Sequence, residues 1–581
     1  MPISLSDLPF LRGAPAEALA DAESEVAWFT LPSGWRLIAR GGAPDNVYFL
    51  LSGALAAFEP AESGARIVGY VRPGEPVGET ALLAGEPHPH DVYALRDAEL
   101  LGITRRGFNR LARQHPALMQ QIARIATLRA RRHRRGAMVE PKTFALIATS
   151  PAIDVEWRAK ALQQALQAMG RSALIVGEEA ADRLSVWFDE VEHAHDAVLL
   201  VGRIEDSAWF RMCMRQADRV IVFARSDARP STPLFPDDPS PTRQFQLVDL
   251  VMCQIAGSPR ACTVEEWRAA AGASRVFHWR GERDAARLAR VMAGRATGLV
   301  LSGGGARAYA HIGVVRALRE FGVEMDMLGG ASMGAIVGAC VAMGWDDAEI
   351  EQRIRAAFVE SNPLGDYVLP VVALTRGKRV DERLLEHFGD VRIEDLPLPF
   401  FCVSTDLAQA RLKVHRSGLL REALRATIAL PGILPPVVDG ESLLVDGAVL
   451  RNFPVDVMRD LYRGPIIGVD VARRTHIDPK DFLDPPPFVK WVRTKGFQAA
   501  PPIATLLIRA ATLTVDPWEG RASTDILITP DMPGVDLRDW KLFDEAVADG
   551  YACAVAALRE APQLRAPQRG AAAQAQAETV A

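Results

Sequence analysis

The chain has 581 residues, 49% of them hydrophobic and 24% charged, which is enough apolar material for about three to five domains of roughly 150 residues each. Lys and Arg total 67 against 72 Asp and Glu, a net charge of −5, so there is no broad basic field and no nucleic acid is expected as a partner. Six cysteines (Cys213, Cys253, Cys262, Cys340, Cys402, Cys553) show no Cys-x-x-Cys spacing, which excludes a zinc ribbon or disulfide scaffold and leaves no metal and no cofactor expected.

The first residues, MPISLSDLPFLRG, lack a basic segment followed by an apolar run, and nowhere do about 18 uncharged apolar residues run together. A cytoplasmic protein is expected, with membrane contact that is peripheral at most. From Ile38 to Leu101 short alternating segments (VYFLLSGALAAFE, ARIVGYVRPGEPVGETALLAGEP, HDVYALRDAELLGI) are punctuated by Gly and Pro, which predicts a small antiparallel β-roll. A helical period follows from Phe108 to Arg135 and ends in clustered Arg before Gly136, where cations complement the helix dipole.

Next, FALIATS, SALIVG, AVLLVG and DRVIVFARS alternate with helical stretches such as Trp157 to Met169, the pattern of a parallel α/β domain. Its loops hold neither a glycine fingerprint nor a Walker lysine, so a structural or docking role is expected. The segment from Pro230 to Pro241 reads as an exposed Pro-rich loop. A second α/β unit opens at Thr297 and runs to Leu558, and the final APQLRAPQRGAAAQAQAETVA is expected to be a disordered tail.

Chemistry concentrates in this second unit. TGLVLS leads into Gly303-Gly304-Gly305-Ala306-Arg307 and then the helical AYAHIGVVRALREFG. Such a strand, glycine turn and helix gathers unpaired backbone N–H groups at a helix N-terminus, where an anion can be held. Shortly after comes Gly330-Ala331-Ser332-Met333-Gly334 between an apolar strand and a helix. This is the nucleophile-elbow pattern, in which flanking glycines permit a turn tight enough to expose the serine hydroxyl. A serine needs a base, and ESLLVDGAVLRNFPVDV offers Asp446-Gly447-Ala448 after an apolar strand.

The segments SGGGARAYAHIGVVRALREFGVEMDMLGGASMGAIVG and ALRATIALPGILPPVVDGESLLVDGAVLRNFPVDV together resemble the patatin-like phospholipases. The resemblance covers Thr297 to Arg473. It implies an α/β/α domain in which Ser332 is the nucleophile, Asp446 its base without a histidine, and the amides of Gly303, Gly304 and Gly305 the oxyanion hole, with Gly330 and Gly334 flanking the elbow. Ala448 stands where the family commonly has Gly.

The whole chain is similar to the neuropathy target esterase branch, which places cyclic-nucleotide-binding-like domains ahead of the patatin unit. DNVYFLLSGAL and PGEPVGETALLAGEP resemble the phosphate-cassette region, with Gly78 and Glu79 at its Gly-Glu. The Arg expected to pair a cyclic phosphate is missing; His88-Pro89-His90-Asp91-Val92 stands in its place. An aspartate repels a phosphate and a neutral His does not replace a bidentate guanidinium, so cyclic nucleotide is not expected to bind.

The expected division is 1–138 for a degenerate cyclic-nucleotide-binding-like domain, 139–296 for an α/β linker domain, 297–560 for the patatin-like domain, and 561–581 for the tail. The resemblance implies a lysophospholipid or phospholipid ester as substrate. Three alternatives stand beside it. A Ser–His–Asp triad would need His476; a dinucleotide fingerprint would use Gly303, Gly305, Ala308 and Glu324 or Asp326; and a non-catalytic scaffold would carry a vestigial patatin unit. His311 reads as a histidine that packs or supports the site from behind and is not itself catalytic, Arg307 is given no role, and Pro485 to Phe497 and ATLLIRAATL read as core packing before lipid contact.

Overall fold

The computed structural model describes residues 11, 14–61, 64–134, 141–231, 234–235, 247–254, 261–361, 363–368, 371–462, 464–471, 517–532, 535 and 539–561. The expected tail beyond Ala561, His476, Pro485 to Phe497, ATLLIRAATL, most of the Pro-rich loop and the side chains of the arginine cluster before Gly136 lie outside them. Two compact units are present, Met1–Ala293 and Gly294–Ala581. The stretches 1–138 and 139–293 therefore share the first unit.

In that unit two four-stranded antiparallel sheets make the roll. One runs Val26–Leu31, Ala98–Thr104, Asn46–Ser52, Pro76–Val77, and the other Arg36–Ile38, Asp91–Ala94, Leu55–Ala61, Gly64–Val71. Thr104 ends the last strand and caps the helix Arg105–Gln114, its hydroxyl accepting from the Gly107 amide at 3.2 Å. A six-stranded sheet follows in the spatial order Ala173–Val176, Ala197–Arg203, Thr143–Ala148, Arg219–Arg225, Leu247–Cys253, Arg275–Trp279. All its pairings are parallel. Both faces are covered, which is why Thr143–Ala148 is buried at every position and reads as an unbroken apolar run.

Polar contacts join roll and sheet. Arg96 pairs with Glu192 and Asp218, Arg215 Nε donates to Asp97 at 2.9 Å, and the Gly53 amide donates to Asp189 at 3.0 Å. The carboxyl of Asp189 is pushed up to about 7 by burial, against the pull of Arg96.

The second unit is built on an eight-stranded sheet. Phe400–Asp406, Met327–Ala331, Gly298–Leu301, Ile466–Val469 and Ile526–Ile528 form its parallel centre. Arg411–His415, Ser442–Asp446 and Val437–Asp439 add antiparallel pairings on one side. Helices Ala310–Glu320, Ser332–Ala342, Lys378–Phe388 and Phe543–Glu560 contribute apolar faces to one continuous core with the central strands. Among the described residues no helix is long and apolar enough to cross a membrane.

Candidate active site

Two consecutive strand-to-helix turns lie side by side at the C-terminal ends of the parallel strands, the position where open α/β sheets build their sites. Gly298–Leu301 leads to the glycine loop and the 3-10 turn Gly305–Tyr309, while Met327–Ala331 leads to Ser332–Ala342. Ser332 adopts φ 51°, a left-handed conformation that strains a residue bearing a side chain. A Cβ on Gly334 would lie 2.4 Å from the Ser302 carbonyl oxygen, and one on Gly330 would lie 2.9 Å from that of Leu301. Bare flanks thus let the elbow press against the neighbouring strand end.

Ser442–Asp446 pairs with Phe400–Asp406 and sets Asp446 opposite Ser404. Across 114 residues of sequence, Ser332 Oγ donates to Asp446 Oδ2 at 2.7 Å. Asp446 Oδ1 accepts from the Ala448 amide at 2.9 Å. Burial pushes the Asp446 carboxyl up to about 7, while the hydrogen bonds from Ala448 and Ser332 pull it down. A carboxylate that ionises near neutrality is matched to receiving a hydroxyl proton.

The glycine loop is clamped by Asn452, whose Nδ2 donates to the Gly303 carbonyl at 3.2 Å while its own carbonyl accepts from the Gly303 amide at 3.2 Å. The Gly303 N–H thus already has an acceptor inside the protein, whereas the Gly304 and Gly305 amides find no protein acceptor among the described residues. A Cβ on Gly303 would stand 2.9 Å from Ser332 Cβ and 2.5 Å from Asn452 Oδ1, so that position is glycine for room.

Sequence reasoning singled out neither Asn452 nor Thr427. The Thr427 hydroxyl accepts from the Ser332 amide at 2.9 Å and donates to the Val403 carbonyl at 2.6 Å, tying the elbow to the adjacent strand. His311 is buried; its Nε2 donates to the Ser302 carbonyl at 2.8 Å, and burial lowers its pKa to about 4. Burial favours its neutral form, and its contact with the Ser302 carbonyl is a packing and supporting one. Arg307 is buried too and donates to the carbonyls of Val471 (2.9 Å), Met532 (3.2 Å) and Val535 (3.0 Å). Asp326, which a dinucleotide site would turn toward a ribose, is buried and accepts from the Thr297 amide at 3.0 Å.

In the roll, Asp91 Oδ1 accepts from the Arg40 amide at 3.1 Å and from Arg36 Nη1 at 3.5 Å. His88 is lowered in pKa by burial, with Asp45 opposing, and Glu79 is fully buried. In the parallel sheet, the helix Val155–Ala168 opens on Asp154, whose carboxylate accepts from the Trp157 amide at 2.8 Å. That side chain occupies the helix N-terminus where a P-loop would hold phosphate.

Three family profiles match in chain order: a cyclic nucleotide-binding domain over residues 28–115, a Neuropathy Target Esterase family P-loop like domain over 140–237, and a patatin-like phospholipase over 299–459. An uncharacterised NTE family protein of Mycobacterium tuberculosis is 32% identical over 97% of both chains. The chain belongs to the NTE family. Other NTE-type relatives include patatin-like phospholipase domain-containing protein 6 of Homo sapiens, 28% identical over 83% of this chain and 41% of that protein. Lysophospholipase NTE1 of Yarrowia lipolytica is 27% identical over the same shares. The chain spans about two fifths of the length of these last two. With NTE family membership comes the reaction class, a lipid carboxylic ester hydrolase.

Proposed function

We propose that the protein hydrolyses the acyl ester of a lysophospholipid through a Ser332–Asp446 dyad. The observation that carries this reading is the 2.7 Å hydrogen bond from Ser332 Oγ to a buried carboxylate beside two unpaired glycine amides. The ester carbonyl lies against the Gly304 and Gly305 amides, Ser332 attacks it, and Asp446 takes the hydroxyl proton. That proton passes to the departing alkoxide, which leaves as the alcohol. Water then loses a proton to Asp446, attacks the acyl-enzyme, and frees the fatty acid and Ser332. Oxyanion stabilisation of this kind supplies about 3–4 kcal/mol per donor. Substrate identity rests on the name of the Yarrowia relative.

The test uses a fluorophosphonate probe and fatty-acid release from lysophosphatidylcholine, with wild type, Ser332→Ala and Asp446→Asn compared as folded proteins. Labelling and release in the wild type, both lost in Ser332→Ala, are expected. A folded wild type that neither labels nor hydrolyses any ester sinks the reading and favours the scaffold alternative.

The roll is read as a domain that does not take cyclic nucleotide, because Asp91 presents a carboxylate, anchored by Arg40 and Arg36, where a phosphate would need a cation. Calorimetric titration with cyclic AMP and cyclic GMP is expected to give no heat of binding at millimolar ligand.

A further inference from the structure

A hydroxyl and a histidine that the dyad does not use lie beside Asp446. Ser404 Oγ and His415 Nε2 are 2.7 Å apart. Ser404 and Asp446 are both buried, and they stand directly opposite each other on the antiparallel strands Phe400–Asp406 and Ser442–Asp446. The Asp446 amide is turned away to the Ala429 carbonyl at 2.9 Å. This is therefore the closer, non-hydrogen-bonded kind of pair, with both side chains on one face and Cβ atoms about 5 Å apart.

His415 arrives from the other edge of the same strand. It stands opposite Cys402 on the strand Arg411–His415, and Cys402 and Ser404, two positions apart, share a face. His415 thus meets Ser404 on the diagonal of that strand pair. Across the face the order is His415, Ser404, Asp446 and then Ser332, which donates to Asp446.

Burial lowers the His415 pKa to about 4, with Lys413 adding to the effect and Asp439 opposing it. At neutral pH the ring therefore carries a single proton; with that proton on Nδ1, Nε2 accepts from the Ser404 hydroxyl. The Asp446 oxygens accept from Ser332 Oγ and from the Ala448 amide, and among the described residues Ser404 is not a third donor to them. The charged groups around the pair are engaged with one another. Lys413 pairs with Asp439, Arg411 with Asp406 at 3.8 Å, and Arg451, on the short helix that packs against the His415 strand, with Asp456 at 3.3 Å.

We propose that His415 is a positioning residue of the hydrolase: by accepting the Ser404 hydroxyl it withholds that donor from Asp446 and leaves the carboxylate with two donors where a third is in reach. The proposal rests on the dyad reading and adds to it the groups that set the strength of the base. Released from His415, the Ser404 hydroxyl turns about its Cα–Cβ bond toward Asp446. A third hydrogen bond favours the charged carboxylate and lowers its affinity for the serine proton.

The test is the pH profile of kcat/KM for p-nitrophenyl butyrate, measured on the full chain. In His415→Leu the acid limb should move down by about one pH unit, a tenfold loss of proton affinity at Asp446. His415→Gln, whose side-chain carbonyl stands where Nε2 stood, should keep the wild-type limb. In the double variant His415→Leu/Ser404→Ala the limb should return to its wild-type position, a recovery that lost packing does not give. Melting temperature reads the same carboxyl without turnover: between pH 5 and 8 the double variant should lose more than His415→Leu, because its Asp446 ionises about one unit higher. In the wild type at pH 7, the 15N histidine signal that disappears in His415→Gln should be that of an Nδ1–H ring.

An unmoved limb in His415→Leu, or a limb that stays displaced in the double variant, overturns the role of His415 while leaving the dyad intact if hydrolysis still needs Ser332. An Nε2–H ring in the wild type overturns it as well, whether or not His415→Leu folds. Unequal melting losses in a protein that hydrolyses no ester retain the hydrogen-bond arrangement and overturn the dyad; equal losses overturn the arrangement itself.

Discussion

At Asp446 the burial of one carboxyl bears on stability and, in the proposed dyad, on rate. Its carboxyl is raised to about 7 by burial, so the form able to accept a proton accumulates only above that pH. The log of kcat/KM should therefore rise with unit slope up to about pH 7 and then flatten, as read from a soluble ester over pH 5–9. Stability runs the opposite way. The unfolded carboxyl ionises near 3.9, the folded one near 7, so between these values the folded state holds a proton that the unfolded state has released. Stability falls across that window as pH rises. Asp446→Asn removes the penalty, and its melting temperature relative to wild type should be higher at pH 8 than at pH 4. A constant difference across pH would show that burial does not raise the Asp446 carboxyl above its unfolded value.

Gly303 offers a second residue-scale test. Its added Cβ would meet Ser332 Cβ at 2.9 Å, displacing the Ser332 side chain or the loop. Gly303→Ala should lower kcat by about a hundredfold or more, comparable to removing an oxyanion donor, with a far smaller loss in melting temperature.

At the scale of elements, close backbone approach decides what packs where. Helices Ala310–Glu320 and Phe543–Glu560 cross where Gly313 and Gly550 leave no side chain between them: a Cβ on Gly313 would lie 1.9 Å from the Val547 carbonyl oxygen, and one on Gly550 2.0 Å from that of Ala310. Gly550→Ala must therefore push the C-terminal helix outward and should destabilise the second unit by about 1–3 kcal/mol, measured by urea unfolding. An unchanged midpoint would mean that the crossing is loose. The elbow glycines follow the same rule but were legible beforehand, because the motif containing them is five residues long. Nothing in the pattern around Gly313 or Gly550 announced a crossing, since each sits singly in a helical stretch and the two partners are far apart in the chain.

For the whole molecule, buried charge gives the first unit its own pH signature. Asp249 is fully buried in the parallel sheet and accepts from Arg219 (2.8 and 2.9 Å) and Arg275 (2.5 and 2.7 Å). Burial alone would raise its pKa, yet the two guanidiniums together hold it below the usual carboxylate range. A depressed carboxylate contributes stability above its unfolded pKa and loses it as pH falls through the lower folded value. The first unit should therefore lose stability in acid. Asp249→Asn should destabilise it at pH 7 by about 3–5 kcal/mol, because two buried cations lose their counter-charge. Equal unfolding midpoints for variant and wild type at pH 7 would contradict this.

The sequence by itself determined the order and type of the domains, the elbow serine and the Asp-Gly strand end. Each depends on local periodicity or on a motif spanning a few residues, where glycine and apolar spacing act directly on the backbone. Only the tertiary structure decided how Ser332 meets Asp446, since 114 residues separate them and no local signal measures a distance across a sheet. It also decided that Gly303 spends its amide on Asn452, that Thr427 anchors the elbow, and that Arg307 serves backbone carbonyls instead of a head group. These are hydrogen bonds between partners 95 to 228 residues apart. Polar groups taken out of water must find partners wherever the fold brings donors and acceptors together, and that pairing is written in the packing of strands and helices.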